Sequence, residues 1–170
     1  MLEEKVGKFI AEYYKVNYDE AKEVIDNKES LFLLLIWGIF EQTHFPGRKP
    51  SFIEKLKTIE YNFKNDDCYN DFRHIALSFH ATFQDNGRWE NLDSGILSEN
   101  KNYDLFIDIQ GKKAKDLSNI EIIKFGLFVV SRYRNNIFHG LKDANDQHNK
   151  YKKEIEDCVN LLIAYLKGVK

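Results

Sequence analysis

Cysteine, proline and methionine are scarce in this chain: two, two and one among 170 residues. Cys68 and Cys158 stand far apart with no C-x-x-C spacing. That excludes a disulfide framework and a cysteine-rich zinc site, and it suits a reducing cytosol. So few prolines leave long stretches without a helix breaker, which favours helices. A long hydrophobic run is missing too. The longest, Leu31 to Phe40 (LFLLLIWGIF), spans about half of what a bilayer crossing needs, so it reads as a buried helix. The start, MLEEKVGKF, is acidic and lacks an apolar stretch, so no signal peptide is expected. Nor does either charge dominate. The formal net charge is −2, and global electrostatics does not announce a nucleic-acid binder.

What is present fits one globular domain over residues 1–170. Hydrophobic residues make up 43%, and thirteen Phe with nine Tyr supply large bodies for packing between helices. Charge is unevenly spread. From Lys124 to Lys153 there are seven bases (Lys124, Arg132, Arg134, Lys142, Lys150, Lys152, Lys153) against Asp143 and Asp146, leaving +5. A near-neutral protein with one basic segment has a local footprint for phosphate. A solvated helix end and loop explains the same charges equally well.

No internal repeat or low-complexity segment is found. Leu2 to Val16 reads as a short helix with Val6, Phe9, Ile10 and Tyr13 on one side. Asn17 or Asp19 caps a second helix that runs through Phe40 to about His44. Ser51 and Glu54 have capping-box spacing and open a helix through Ile53, Leu56, Ile59 and Phe63. Another fits Tyr69 to about Gln84. Between Asp85 and Leu117 turn dipeptides dominate. This stretch reads as a loop-rich insertion in which Tyr103 to Ile109 fits a strand or a short helix. Ser118 and Glu121 form a second capping box. Behind it, Ile122, Ile123, Phe125, Leu127, Phe128, Val129, Val130 and Tyr133 make a helix apolar nearly all round, so it is central or lies at a subunit interface. Gly140 stops it after His139. Asp146 to Lys167 is the last helix. The expected fold is all-α, an antiparallel bundle of about five helices.

Chemistry concentrates where that apolar helix turns polar: Arg132-Tyr133-Arg134-Asn135-Asn136-Ile137-Phe138-His139-Gly140. Asn135 and His139, four apart, share a helix face. Arg134 and His139, five apart, differ by about 140° round the axis. They converge if Arg134 curls its side chain, if the helix opens near His139, or if a second subunit brings a matching pair alongside. These residue types suit phosphodiester cleavage. A guanidinium presents a planar fork to phosphate oxygens and can stabilise charge building there. An imidazole takes and returns protons near neutrality. RNA carries its own nucleophile in the 2′-OH, so this chemistry needs no metal and no cofactor.

The string R-N-N-I-F-H-G resembles the R-N-x-x-x-H signature of the HEPN superfamily, carried here by Arg134, Asn135 and His139. The resemblance implies a helical bundle whose motif lies near the end of a long helix. It also implies a cytoplasmic, metal-independent endoribonuclease of a prokaryotic toxin–antitoxin or antiviral defence system. Arg134 would contact the scissile phosphate, His139 would handle the proton and Asn135 would orient the site. Arg132, Asn136 and Lys142 are the flanking RNA-binding candidates. Two protomers would pair around a composite active site. The partners would be RNA, a second copy and an antitoxin or defence-system protein, with no membrane. Leu141 stands where toxins paired with nucleotidyltransferase antitoxins often carry a Tyr, which sets that particular partnership aside. Some HEPN modules are non-catalytic and bind RNA, a nucleotide or a protein, which is the competing expectation. The plainest alternative is helix termination, with Asn and His near a C-terminus before a Gly stop.

The other histidines are weaker candidates. His74 and His80 fall on nearly opposite sides of one helix, and His44 and His148 lie at helix ends, so core or surface roles are expected for all four. Phe79, Phe83, Arg88 and Trp89 read as core before cleft lining, and Lys112, Lys113 and Lys115 as a solvated loop.

Overall fold

A computed structural model of the chain describes residues 2–15, 17–26, 28–47, 50–86, 104–139 and 151–169. Among them the elements are helical and no strand occurs, as expected for an all-α bundle. In chain order the α-helices are α1 (Leu2–Tyr14), α2 (Tyr18–Asp26), α3 (Lys28–His44), α4 (Phe52–Lys57), α5 (Asp66–Asn86), α6 (Asp104–Gly111), α7 (Asn119–His139) and α8 (Lys152–Gly168), with a short 3-10 helix, Ala114–Asp116, between α6 and α7. None is long and apolar enough to cross a membrane.

The bundle is built from α3, α5, α7 and α8, helices of 17 to 21 residues. α8 packs on α3, α5 and α7, and α5 packs on α7. The core follows from α7. Ile122, Ile123, Phe125, Leu127, Phe128, Val129 and Val130 are each no more than 1% exposed, and burying each such side chain contributes about 1.5–3 kcal/mol. Of the two places open to an all-round apolar helix, α7 takes the centre of its own chain. α5 comes close because Gly126 has no side chain. A Cβ there would fall 2.8 Å from Phe72 Cζ and 3.2 Å from Ala76 Cβ. At one end, Phe40, Phe63 and Phe72 surround Tyr165, with ring centroids 5.5 to 6.0 Å away.

Several boundaries depart from sequence expectation. The helix expected from Asn17 to His44 comes as α2 and α3, on either side of residue 27, which lies outside the described residues. The helix expected to reach Phe63 stops at Lys57. Thr58 turns its hydroxyl onto Lys55 O at 2.9 Å, competing with helix continuation. Phe63 then sits in non-helical chain against Tyr69, Phe72 and Tyr165, while Lys64 N–H bonds Gly168 O at 2.7 Å. α5 begins earlier than Tyr69 because Asn65 Oδ1 accepts from Cys68 N–H at 3.0 Å, an N-cap followed by Asp66 and Asp67 at the positive end of the dipole. Part of the expected insertion is structured. Of the stretch expected as strand or short helix, the described part, from Asp104 on, is helix, α6, with Phe106 and Ile109 buried three positions apart. The last helix is described from Lys152; its expected start at Asp146 lies outside the described residues.

The largest correction concerns Leu31 to Phe40. Leu33, Trp37 and Phe40 are buried, but Leu31, Phe32, Leu35 and Ile39 are 50 to 57% exposed. One side of α3 meets α8 and α7; the other stays exposed among the described residues. The helix is half-buried.

Candidate functional site

The two capping boxes set the site. Ser118 accepts from Glu121 N–H, and Glu121 Oε2 accepts in return from Ser118 N–H at 2.9 Å, so α7 starts at a fixed point and its polar end is placed by counting turns. Ser51 and Glu54 do the same for α4, with Ser51 N–H donating to Glu54 Oε2 at 2.7 Å. The chain between α3 and α4 is pinned by the Lys55 ammonium, which donates to Phe45 O at 3.3 Å, Pro46 O at 2.6 Å and Gly47 O at 3.1 Å. Lys124 Nζ ties α7 to the end of α4 through Lys57 O at 2.5 Å.

Between these elements lies a cavity of about 220 Å³ lined by Trp37 and Glu41 of α3, Ser51, Phe52 and Ile53 at the start of α4, and Ser131, Arg132, Arg134 and Asn135 of α7. Its size admits a phosphate group or a single base, below the usual range for drug-sized ligands. Trp37 is its floor, 4% exposed and packed on Phe52 at 5.1 Å and Phe40 at 5.2 Å. The Arg134 guanidinium carbon lies 5.3 Å from the centre of the Trp37 ring, within cation–π range. Arg134 Nη1 also donates to Asn135 Oδ1 at 2.8 Å. Two contacts thus hold a partly buried guanidinium at the cavity wall. Two Arg and one Glu leave the lining cationic. Ser131 turns its hydroxyl onto Phe128 O at 2.7 Å, and Tyr133 packs away, against Phe79 and Tyr151.

Arg132, Arg134 and Asn135, all expected site residues, therefore come together on one cavity. α7 stays helical through His139, so the helix does not open ahead of that residue. By helical geometry His139 takes the register position between Asn135 and Arg132, one turn further along. The side chains of Asn136 and His139, and Lys142 altogether, lie outside the described residues. Trp37, Glu41 and Ser51 were not expected here. They stand more than 80 positions from Arg134 in the chain, and Trp37 sits in a run that reads as core.

The remaining described candidates lie outside this cavity. His80 is 1% exposed, donates from Nε2 to Ile109 O at 3.0 Å and meets Phe125 edge-on. Burial lowers the His44 pKa, beside the rings of Phe40 and Tyr165; His74 is exposed. Phe79 and Phe83 are core, and the exposed Lys112 pairs with Glu121. His148, Arg88 and Trp89 lie outside the described residues. Among the described residues, no group of three or more His, Cys, Asp or Glu could hold a metal ion. No protein family, no curated protein and no solved structure matches this chain.

Proposed function

We propose that the protein is a metal-independent endoribonuclease of the HEPN type, acting in the cytoplasm as paired protomers within a toxin–antitoxin or phage-defence system. One observation carries the reading: Arg132, Arg134 and Asn135 line a single small cationic cavity, with His139 next on the same arc of α7. The motif resemblance supplies the reaction. RNA attacks itself: the 2′-oxygen bonds to phosphorus and the 5′-oxygen leaves. Arg134 stabilises charge on the phosphate oxygens, a service that needs a held guanidinium. The Trp37 and Asn135 contacts provide that hold. An imidazole accepts the 2′-OH proton, and an imidazolium returns one to the departing 5′-oxygen. Two His139 side chains from paired protomers fill both roles, and the products are a 2′,3′-cyclic phosphate and a 5′-OH. Position at a helix C-terminus favours the protonated ring, which suits the acid.

The test is cleavage of total RNA and single-stranded oligomers in the presence of EDTA. Arg134→Ala and His139→Ala should each lower the rate by about 100-fold or more while keeping wild-type melting curves. If wild type cuts nothing across a broad substrate set but retains single strands, the module binds without cutting, a role for which a small cationic cavity floored by an indole is also suited. If both substitutions lower stability instead, the motif only terminates a helix.

A further inference from the structure

We propose that the cavity selects guanine: the Glu41 carboxylate takes the N1–H and N2 amino hydrogens of a guanine base, and the Ser51 hydroxyl donates to its O6. Cutting beside that base rests on the proposed function; the choice of base does not.

The carboxylate is what calls for an occupant. Glu41 lines the cavity with Arg132 and Arg134, yet among the described residues it enters no hydrogen bond or ion pair through its side chain. Nor does its own helix favour it, because Glu41 lies in the last turn of α3, where the dipole opposes an anion. Its place is nevertheless fixed. It stands one turn beyond Trp37, the cavity floor, on the same face of α3, and its backbone carbonyl accepts from Phe45 N–H at 3.0 Å. Ser51 is held by the capping box of α4, and the chain between the two is the one that Lys55 pins. A pinned turn therefore presents both side chains to one cavity of about 220 Å³.

Donor and acceptor chemistry narrows the occupant. A carboxylate has two acceptor oxygens and no donor, so its best match is two N–H groups side by side. Among the four RNA bases only guanine has that edge, N1–H next to the N2 amino group. Adenine and cytosine set one amino group beside a bare ring nitrogen, whose lone pair a carboxylate repels. Uracil has a single N–H between two carbonyls. Guanine also carries an acceptor, O6, next to N1–H. The Ser51 hydroxyl accepts from Glu54 N–H at 3.4 Å and keeps its own proton for that oxygen. An amine or a guanidinium would suit Glu41 too, but Arg132 and Arg134 repel a cation. A neutral base that carries phosphate meets both signs, its edge on Glu41 and its 3′-phosphate toward the two Arg of α7. Unpaired bases in single-stranded RNA are read on this edge.

The experiment is calorimetric titration of the full chain with the 3′-monophosphates of guanosine, inosine, adenosine, cytidine and uridine. The guanosine nucleotide should bind about 10-fold or more tighter than those of adenosine, cytidine and uridine. Inosine, which lacks only the N2 amino group, should fall between. Glu41→Gln should weaken the guanosine nucleotide by about 10-fold and erase its advantage over inosine, with the adenosine nucleotide affected far less. Its melting curve should match wild type, because Glu41 is exposed. A single-stranded RNA oligomer with one guanosine should displace the guanosine nucleotide, and the same oligomer with adenosine in that place should do so far less well. Equal or absent affinity for all five, a guanine preference that survives Glu41→Gln, or a guanosine oligomer that displaces nothing overturns the inference. RNA cut without regard to guanosine sinks it and leaves the nuclease. Guanine held through Glu41 by a protein that cuts no RNA sinks the nuclease alone.

Discussion

Gly126 and Gly38 sit in opposite surroundings: a Cβ at Gly38 would meet nothing within 4 Å. At Gly126 a methyl group would press on Phe72, which is fully buried, and on Ala76. Alanine in mid-helix gains about 0.5–1 kcal/mol over glycine, but overpacking a core costs about 1–3 kcal/mol. The second effect wins because a closed-in Phe72 ring has nowhere to move. Gly126→Ala should therefore lower the melting temperature, by roughly 2–4 °C for each kcal/mol lost. A melting temperature that rises would mean α5 can step back from α7. The motif residues were legible one by one: Arg132, Arg134 and Asn135 stand out because polar groups crowd the end of a greasy helix. Trp37 and Glu41 were not, since only folding brings α3 beside the end of α7.

At the scale of elements, the start of α7 is fixed by several contacts at once, through Ser118, Glu121 and Lys112. Burial pushes the Glu121 carboxyl up. The Lys112 ammonium, with the N–H and hydroxyl of Ser118, more than reverses that and holds it at about 2 against an ordinary 4.5. A carboxyl depressed in the native state stabilises folding above its unfolded pKa, and that contribution disappears as pH falls through the native one. Stability should accordingly decline between about pH 4.5 and 2. Glu121→Gln should melt lower at neutral pH and show a shallower decline across that window; a slope equal to wild type would remove Glu121 from the acid transition. Both capping boxes could be read from spacing alone, because a cap is a local contract between residues three apart. The end of α4 could not. Thr58 stops it by hydrogen bonding that competes with a periodicity which, through Ile59 and Phe63, still reads as helix. The burial of α3 was misread for a related reason: an apolar run records what a helix can cover, not how many neighbours it has.

For the molecule as a whole, a net charge of −2 makes any phosphate binding a local affair. If Arg132, Arg134 and Lys142 each meet a backbone phosphate of single-stranded RNA, affinity should fall about 20-fold between 50 and 200 mM salt, from a slope of about −0.7 per contact. Filter binding would measure it, and a slope near zero would point to stacking in place of ion pairing. The floor of the cavity also gives the molecule an optical signal of its own. The Trp37 indole N–H is buried and has no hydrogen-bond partner among the described residues, a setting in which indole emits toward the blue. The chain has one other tryptophan, Trp89. Replacing it with Phe leaves a single tryptophan, beneath Arg134, so with excitation selective for indole a nucleobase or phosphate arriving there would change the colour or brightness of the protein with no label attached.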